Sequence, residues 1–338
     1  MSEVVVRTEG LTKRFGSIDA VVDLNLEVLQ GEVFGLIGPD GAGKTTTLRL
    51  LATVIPPTGG KATVLGYDTA RQAETLRPLV GYMPQRFSLY GDLSVWENLN
   101  FFADIHGVRG PERRERVERL LAFARLQQFR DRRAQHLSGG MQKKLALACA
   151  LVHQPRILLL DETSTGVDPI SRREFWDILT DLHVEGVSIL VSTPYMDEAE
   201  RCSRVGLMYE GTLMVCDTPE AITAMVPGAL VMVHLLPYPN GRLPVRKARE
   251  QVSSLPGVLE VQTYGDQLHV FTDNAAAVIP AIEAALRQAD VPFNSVRPGK
   301  PRLEEAFIHL LRRRLARNDR GEGTVLPTAS PGAETLEP

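Results

Sequence analysis

The chain has 338 residues, a net charge of −3, and 43% hydrophobic and 23% charged residues. That length is enough for two domains and a sizeable core, in the composition of a folded globular protein. The slight negative charge removes any general electrostatic drive toward nucleic acid or anionic lipid, and the three scattered cysteines (Cys149, Cys202, Cys216) suit a reducing compartment and argue against a disulfide or metal framework. Met1–Arg7 lacks the basic-then-apolar pattern of a secretory signal. No apolar run reaches the ~18 residues that a membrane-spanning helix needs.

In chain order, Leu24, Leu26 and Val28 alternate with polar residues, which predicts an antiparallel strand. Val33–Ile37 is an apolar strand-like run, and Thr46–Ala52 reads as the start of a helix. Between them Gly38-Pro-Asp-Gly-Ala-Gly-Lys-Thr45 fits G-x-x-x-x-G-K-[ST], and strand, glycine loop, helix is the setting of a phosphate-binding loop. Gly38, Gly41 and Gly43 have no Cβ, so the backbone can curl with its N–H groups inward, and the helix adds its positive end. In that loop Lys44 reaches the β- and γ-phosphates and the Thr45 hydroxyl sits on Mg²⁺.

Ser94–Val152 has helical periodicity, with charged faces at Arg113–Arg119 and Arg130–Arg133. Within it Ser138 is a good N-cap for a helix opening at Gly139-Gly140. Arg156-Ile-Leu-Leu-Leu-Asp161 is an apolar run that ends in acid. It predicts a parallel strand buried on both faces, with its carboxylate at the edge where α/β proteins bind ligands. Val187–Val191 reads as a neighbouring strand, and Val205–Tyr209 with Thr212–Val215 as a hairpin around Glu210-Gly211. Met225-Val-Pro-Gly228 breaks the composition.

A second unit then reads strand (Leu230–Leu236), helix (Lys247–Leu255), strand (Val258–Tyr264), strand (Gln267–Thr272), helix (Ala275–Ala289), strand (Phe293–Val296). This βαββαβ order is the ferredoxin-like arrangement. A last helix, Leu303–Leu315, ends in basic residues that suit its C-terminal dipole. The expected division is therefore 1–225, 226–316, and a disordered tail over 317–338 rich in Gly, Pro, Thr and Glu. His269 and His309 stand alone and read as packing or surface residues rather than metal ligands.

Four motifs follow the glycine loop in fixed order: Gly81-Tyr-Met-Pro-Gln85, Leu137-Ser-Gly-Gly-Met-Gln142, Ile157-Leu-Leu-Leu-Asp-Glu162 and Gly166-Val-Asp-Pro169. With them, residues 4–225 resemble the nucleotide-binding subunit of ABC transporters. Leu-Ser-Gly-Gly before a helix, upstream of the acidic strand, is the sharpest element. The resemblance implies an α/β P-loop fold of the ABC type: a mixed-sheet core, an antiparallel β subdomain and a helical subdomain. The smaller α+β ferredoxin-like domain follows it.

The resemblance also implies that Gly38, Pro39, Asp40, Gly41, Ala42, Gly43, Lys44, Thr45, Thr46 and Gln85 bind ATP. Asp161, with Thr45 and Gln85, would hold Mg²⁺, and Glu162, helped by Lys44, would act on the attacking water. Phe15 matches an aromatic that stacks on adenine; a core aromatic in a half-buried strand is the alternative. Ser138, Gly139 and Gly140 would reach the γ-phosphate of ATP bound to a second ATPase subunit, homologous or identical, and Asp168 would lie at that interface. Membrane permease subunits are the other implied partners, and nucleic acid is not one. The segment Phe87–Glu97, with Leu89, Tyr90 and Trp96, is either the permease-docking surface or core. The implied location is the cytoplasmic face of the cell membrane. Pro301-Arg-Leu-Glu-Glu-Ala-Phe-Ile-His-Leu310 resembles the C-terminal motif of ATPases of the daunorubicin-resistance type, which implies export.

The chain also departs from this family. Pro194 stands where a histidine contacts the γ-phosphate, and proline offers neither a side-chain donor nor an N–H. Thr163 replaces the usual proline after the catalytic glutamate, Asp40 a common asparagine, and Met141 the last signature residue. The expectation is a site that binds ATP and turns over slowly, similar to the N-terminal half of twin-ABC exporter ATPases. A soluble ABC-type ATPase working on ribosomes or DNA is the alternative; one ABC unit and no polybasic tract weigh against it. A purely regulatory ATP-binding module is opposed by retention of Glu162.

Overall fold

The computed structural model describes residues 3–86 and 89–318. The chain divides into two compact units between Pro219 and Glu220. The first begins with β1 (Val4–Phe15), β2 (Ile18–Leu29), β3 (Val33–Ile37), α1 (Lys44–Leu51), β4 (Gly59–Val64), β5 (Tyr67–Asp68), α2 (Ala73–Leu76) and β6 (Val80–Met83). Three helices follow: α3 (Val95–Ile105), α4 (Gly110–Phe123) and α5 (Gly139–Leu151). It closes with β7 (Ile157–Asp161), α6 (Pro169–Val184), β8 (Ser188–Thr193), α7 (Met196–Ala199), β9 (Arg204–Tyr209) and β10 (Thr212–Asp217).

Two sheets form. One is antiparallel, in the order β2-β1-β4-β5; the other is mixed, in the order β10-β9-β3-β8-β7-β6. The central strands β3, β7 and β8 are buried at every residue, which explains their apolar runs, and the polar residues at the strand ends (Asp161, Ser188, Ser192, Thr193) are buried with them. The hairpin β9–β10 turns at Glu210 and Gly211, both at positive φ (47° and 77°), as a two-residue turn that matches strand twist requires. One core joins both sheets through Leu11, Leu24, Val28, Phe34, Leu36, Leu48, Leu159 and Leu190.

Parallel register puts Leu36 beside Ser192 and Ser192 beside Asp161. The glycine loop, the acidic pair and the end of β8 therefore emerge at one level of the sheet.

The helical region is pinned by Asn98, which is fully buried on α3. Its amide nitrogen donates to the carbonyls of Tyr90 (3.1 Å), Leu93 (3.2 Å) and Ser94 (2.9 Å), and its oxygen accepts from the Tyr90 N–H (3.0 Å). Ser94 and Glu97 cap α3 reciprocally. Tyr90 is 48% exposed, and Trp96 lies under the Arg130 guanidinium at 4.3 Å. Phe87 and Ser88 lie outside the described residues. No helix among the described residues is long and apolar enough to cross a membrane.

Past α8 (Pro219–Ala224), the second unit contains β11 (Ala229–Leu235), α9 (Val245–Ser253), β12 (Val258–Tyr264), β13 (Gln267–Thr272), α10 (Ala275–Gln288), β14 (Phe293–Gly299) and α11 (Leu303–Asn318). Its antiparallel order, β12-β13-β11-β14, places the first and third strands at the centre, as the ferredoxin-like arrangement requires. Leu268 and Val270 join the core formed with α9 and α10. His269 has the opposite parity and is buried too. It is more than a packing residue: its Nδ1 pairs at 2.7 Å with Glu305 of α11. The other Glu305 oxygen accepts from the Arg302 N–H (2.7 Å), so the motif glutamate both caps α11 and ties it to the sheet. The helix runs to Asn318, so residues 317 and 318 are helical where a tail was expected. Residues 319–338 lie outside the described residues.

His153, just past α5, stacks on His106 at 3.9 Å, and its Nε2 donates to the Val80 carbonyl (3.1 Å). Burial, with the neighbouring His106 adding to it, pushes its pKa from 6.5 down to about 4. The unfolded chain therefore takes up this proton first as pH falls. Stability is present above pH 6.5 and is lost toward about pH 4. The expected loss is on the order of 2 kcal/mol. Urea midpoints measured between pH 7 and pH 5 should fall less steeply in His153→Gln, which keeps a donor for Val80.

Candidate functional site

β3 ends against the glycine loop, and the loop is shaped by what a side chain would strike. A Cβ on Gly38 would overlap the Met208 carbonyl oxygen of β9, and Gly43 sits at φ 100° with Ala20 oxygen where its Cβ would be. Ala42 is buried, whereas Pro39, Asp40 and Gly41 form an exposed crest. The Asp40 carboxylate is thus in solvent. Gly43 is the N-cap of α1 and supplies no side-chain acceptor, and the first turn carries no acid. Helix N–H groups and dipole are left free to meet an anion. Thr46 is half-buried in that turn.

Beneath the loop Lys44 is 3% exposed. Its ammonium donates to the carbonyls of Gly38 (2.8 Å) and Pro39 (3.0 Å) and pairs with Glu162 Oε1 at 3.0 Å. Glu162 follows the last residue of β7 and holds φ 47°, which turns it out of the strand line. Its N–H donates to both the hydroxyl and the carbonyl of Ser192 (3.1 Å each). Its Oε2 accepts from Gln85 Nε2 (2.9 Å), and Lys143 of α5 donates to the Gln85 carbonyl (3.1 Å). Asp161 Oδ1 accepts from the hydroxyls of Thr45 (2.9 Å) and Ser192 (2.8 Å).

Burial raises the Asp161 carboxyl above its ordinary pKa, against the lowering effect of the Ser192 and Thr45 hydrogen bonds. Its Oδ2 is buried with no hydrogen-bond partner. A buried carboxylate oxygen left over beside a threonine hydroxyl is the donor set of a small hard cation, so these residues fit Mg²⁺.

Lys44, Thr45, Gln85, Asp161 and Glu162 thus form one connected cluster. The loop carbonyls of Gly38 and Pro39 join it through Lys44, whereas Ser138, Gly139, Gly140, Asp168 and Phe15 lie outside it. Ser138 caps α5 by accepting from the Met141 N–H (3.4 Å), and both Ser138 and Gly139 are exposed. Gly140 is buried with no room for a Cβ against Ser171 of α6. Asp168 caps α6 by accepting from the N–H groups of Ile170 (3.1 Å) and Ser171 (3.0 Å), which lowers its pKa. Phe15 is not a core residue. It is 47% exposed at the end of β1, with Lys13 Nζ 5.0 Å from its ring centroid. Pro194 is half-buried directly after β8. Ser192, which orients both acids, escaped the sequence reading; a hydroxyl at the C-terminal end of a strand next to an acidic strand end was the available signal.

The fold and the cradle define a P-loop nucleotide-binding domain. The family model described as ABC transporter matches residues 21–165. The chain is 43% identical over 314 residues to "Probable multidrug ABC transporter ATP-binding protein YbhF" of Escherichia coli (strain K12), covering 92% of this chain and 53% of that protein. It therefore spans about half the length of that relative. It is 36% identical over 318 residues to "Nod factor export ATP-binding protein I" of Paraburkholderia xenovorans (strain LB400), covering 93% of this chain and 99% of the relative. To "Daunorubicin resistance ATP-binding protein DrrA3" of Streptomyces coeruleorubidus it is 32% identical over 311 residues, covering 92% and 96%. Among solved structures it resembles cbiO1 of Clostridium perfringens, part of the ABC transporter complex cbiONQ. The TM-score is 0.61 at 26% identity, with 66% of this chain and 92% of that chain covered. The chain belongs to the family of ABC transporter ATP-binding proteins.

Gly38→Ala forces the loop off β9 by backbone overlap, which typically costs about 1–3 kcal/mol. Calorimetry should record a thermal midpoint lower by a few degrees, and titration a loss of nucleotide affinity.

Proposed function

We propose that this chain is the ATP-binding and ATP-hydrolysing subunit of an ABC-type exporter, and that its own ATP site turns over slowly. The observation that carries the reading is the buried Lys44–Glu162 pair under an uncapped helix start. Here a phosphate can replace one anion by another. On binding, the Lys44 ammonium exchanges Glu162 for β- and γ-phosphate oxygens. The released Glu162 carboxylate is then free to accept a proton from the attacking water. Gln85, already bonded to Glu162, moves with it. Thr45, Asp161 and Gln85 would hold Mg²⁺, which neutralises charge on the triphosphate. Phe15, exposed at the hairpin tip, is available to stack on adenine.

Hydrolysis by this site is slow because Pro194 contributes no donor toward the γ-phosphate; one such contact is worth roughly 10²–10³ in turnover. The exposed Ser138 and Gly139 at the start of α5 support completion of a site on a second ATPase subunit, with Asp168 near the junction. The printed names of the relatives, multidrug, Nod factor export and daunorubicin resistance, support export through membrane permease subunits. Such a chain works at the cytoplasmic face of the membrane. The exposed Tyr90 and half-buried Trp96 support docking near residues 89–97. Pro194 favours one other reading, a regulatory ATP-binding module with little turnover.

Purified chain decides between them. Lys44→Ala should lose nucleotide affinity by at least about tenfold. Glu162→Gln should keep affinity and lose turnover by about 10². Pro194→His should raise turnover by about tenfold or more. Native turnover that Pro194→His does not improve would remove the slow site, and absence of turnover in both would leave the regulatory module.

A further inference from the structure

Arg172 lies in the first turn of α6, and its N–H donates to the Asp168 carbonyl (2.9 Å). Its side chain leaves that turn for the segment after β8. The guanidinium carbon is 4.9 Å from the Tyr195 ring centroid, Nη2 is 3.3 Å from Asp197 Oδ2, and Nε is 3.9 Å from Glu198 Oε1. Only the Asp197 partner is well exposed (65%), and that contact alone would be weak. Glu198 is different: it is 2% exposed, and its Oε1 has no hydrogen bond. Arg172 is the cation paired with it among the described residues. Glu198 Oε2 accepts from the Thr193 hydroxyl (2.6 Å), and that hydroxyl in turn accepts from the Tyr195 N–H (3.0 Å).

Thr193 is adjacent to Ser192, whose hydroxyl and carbonyl hold Asp161 and the Glu162 N–H. A continuous line of contacts therefore runs from the Asp168 turn through Arg172, Glu198 and Thr193 to the acidic pair. Pro194, next in the chain after Thr193, adds no N–H and no polar side chain to it. The segment's own bonds to the Thr193 hydroxyl leave the second Glu198 oxygen to be answered by Arg172 from α6.

We propose that Arg172 is a positioning residue: it clamps residues 194–198 onto α6 and so holds Ser192, and with it Asp161 and Glu162, in register with the Asp168 turn. Charge alone does not account for the geometry. The guanidinium carbon lies over the Tyr195 ring while two different nitrogens of the same group meet two carboxylates, an arrangement that a single ammonium cannot reproduce. Its effect on turnover rests on the ATPase reading above; its effect on the segment does not.

The test uses the full chain carrying Arg172→Ala, Arg172→Lys, Tyr195→Ala, and Arg172→Ala combined with Tyr195→Ala. Amide hydrogen exchange is followed over residues 193–199, with residues 139–151 as internal reference, beside steady-state ATP turnover and the thermal midpoint. Arg172→Ala should speed exchange over 193–199 by about tenfold while 139–151 is unchanged. It should lower kcat by about tenfold at constant KM. Arg172→Lys should recover only part of either effect. The double variant should resemble Arg172→Ala rather than add the two losses. Unchanged exchange over 193–199 in Arg172→Ala overturns the proposal, as does a loss spread equally over both segments with a lowered thermal midpoint. If the native chain binds ATP without turnover, the exchange result alone judges Arg172, and the missing turnover counts against the ATPase reading.

Discussion

A buried ammonium must be answered by negative charge, and in this chain the answering group is the one expected to activate water. Lys44 and Glu162 are almost fully withdrawn from solvent and meet at 3.0 Å. Removing one partner of such a pair typically costs about 3–5 kcal/mol, because the other is left buried and uncompensated. In the proposed function, a triphosphate would answer the same ammonium and release Glu162.

The rest of the first unit serves this pair. Three buried parallel strands end at one level, so Lys44, Asp161 and Ser192 converge from distant parts of the chain. Glu162 adopts a left-handed backbone that aims it back over the loop, and the two bonds from its N–H to Ser192 hold that conformation. Gln85 reaches the same carboxylate from the segment after β6. In the second unit a glutamate again does double service, since Glu305 caps its helix and holds His269 across the sheet.

Much of this was legible in the sequence because it depends on local chemistry. Apolar runs gave β3 and β7, a mostly apolar run over 187–191 gave β8, and the glycine spacing gave the loop. The βαββαβ order of the second unit came from alternating periodicity. β1, β4 and β6 were harder. β1 carries Arg7, Thr8, Glu9, Thr12, Lys13 and Arg14 among its apolar residues, and β6 has only four residues. Contacts set by register were not readable at all. Ser192 meets Asp161 across 31 positions, and only its place at the end of a strand hints at the contact. Asn98 and Arg172 look like ordinary surface polar residues until the carbonyls, ring and carboxylates around them are in place.

The two glycines that open α5 are alike in sequence and unlike in space. Gly139 has nothing within 4 Å of a would-be Cβ, whereas Gly140 presses on Ser171. A mutational scan across this turn would thus return two kinds of defect that share one phenotype. Damage at position 140 would report interhelical crowding between α5 and α6, whatever nucleotide does. Damage at position 139 would be the cleaner reporter of a visiting ligand.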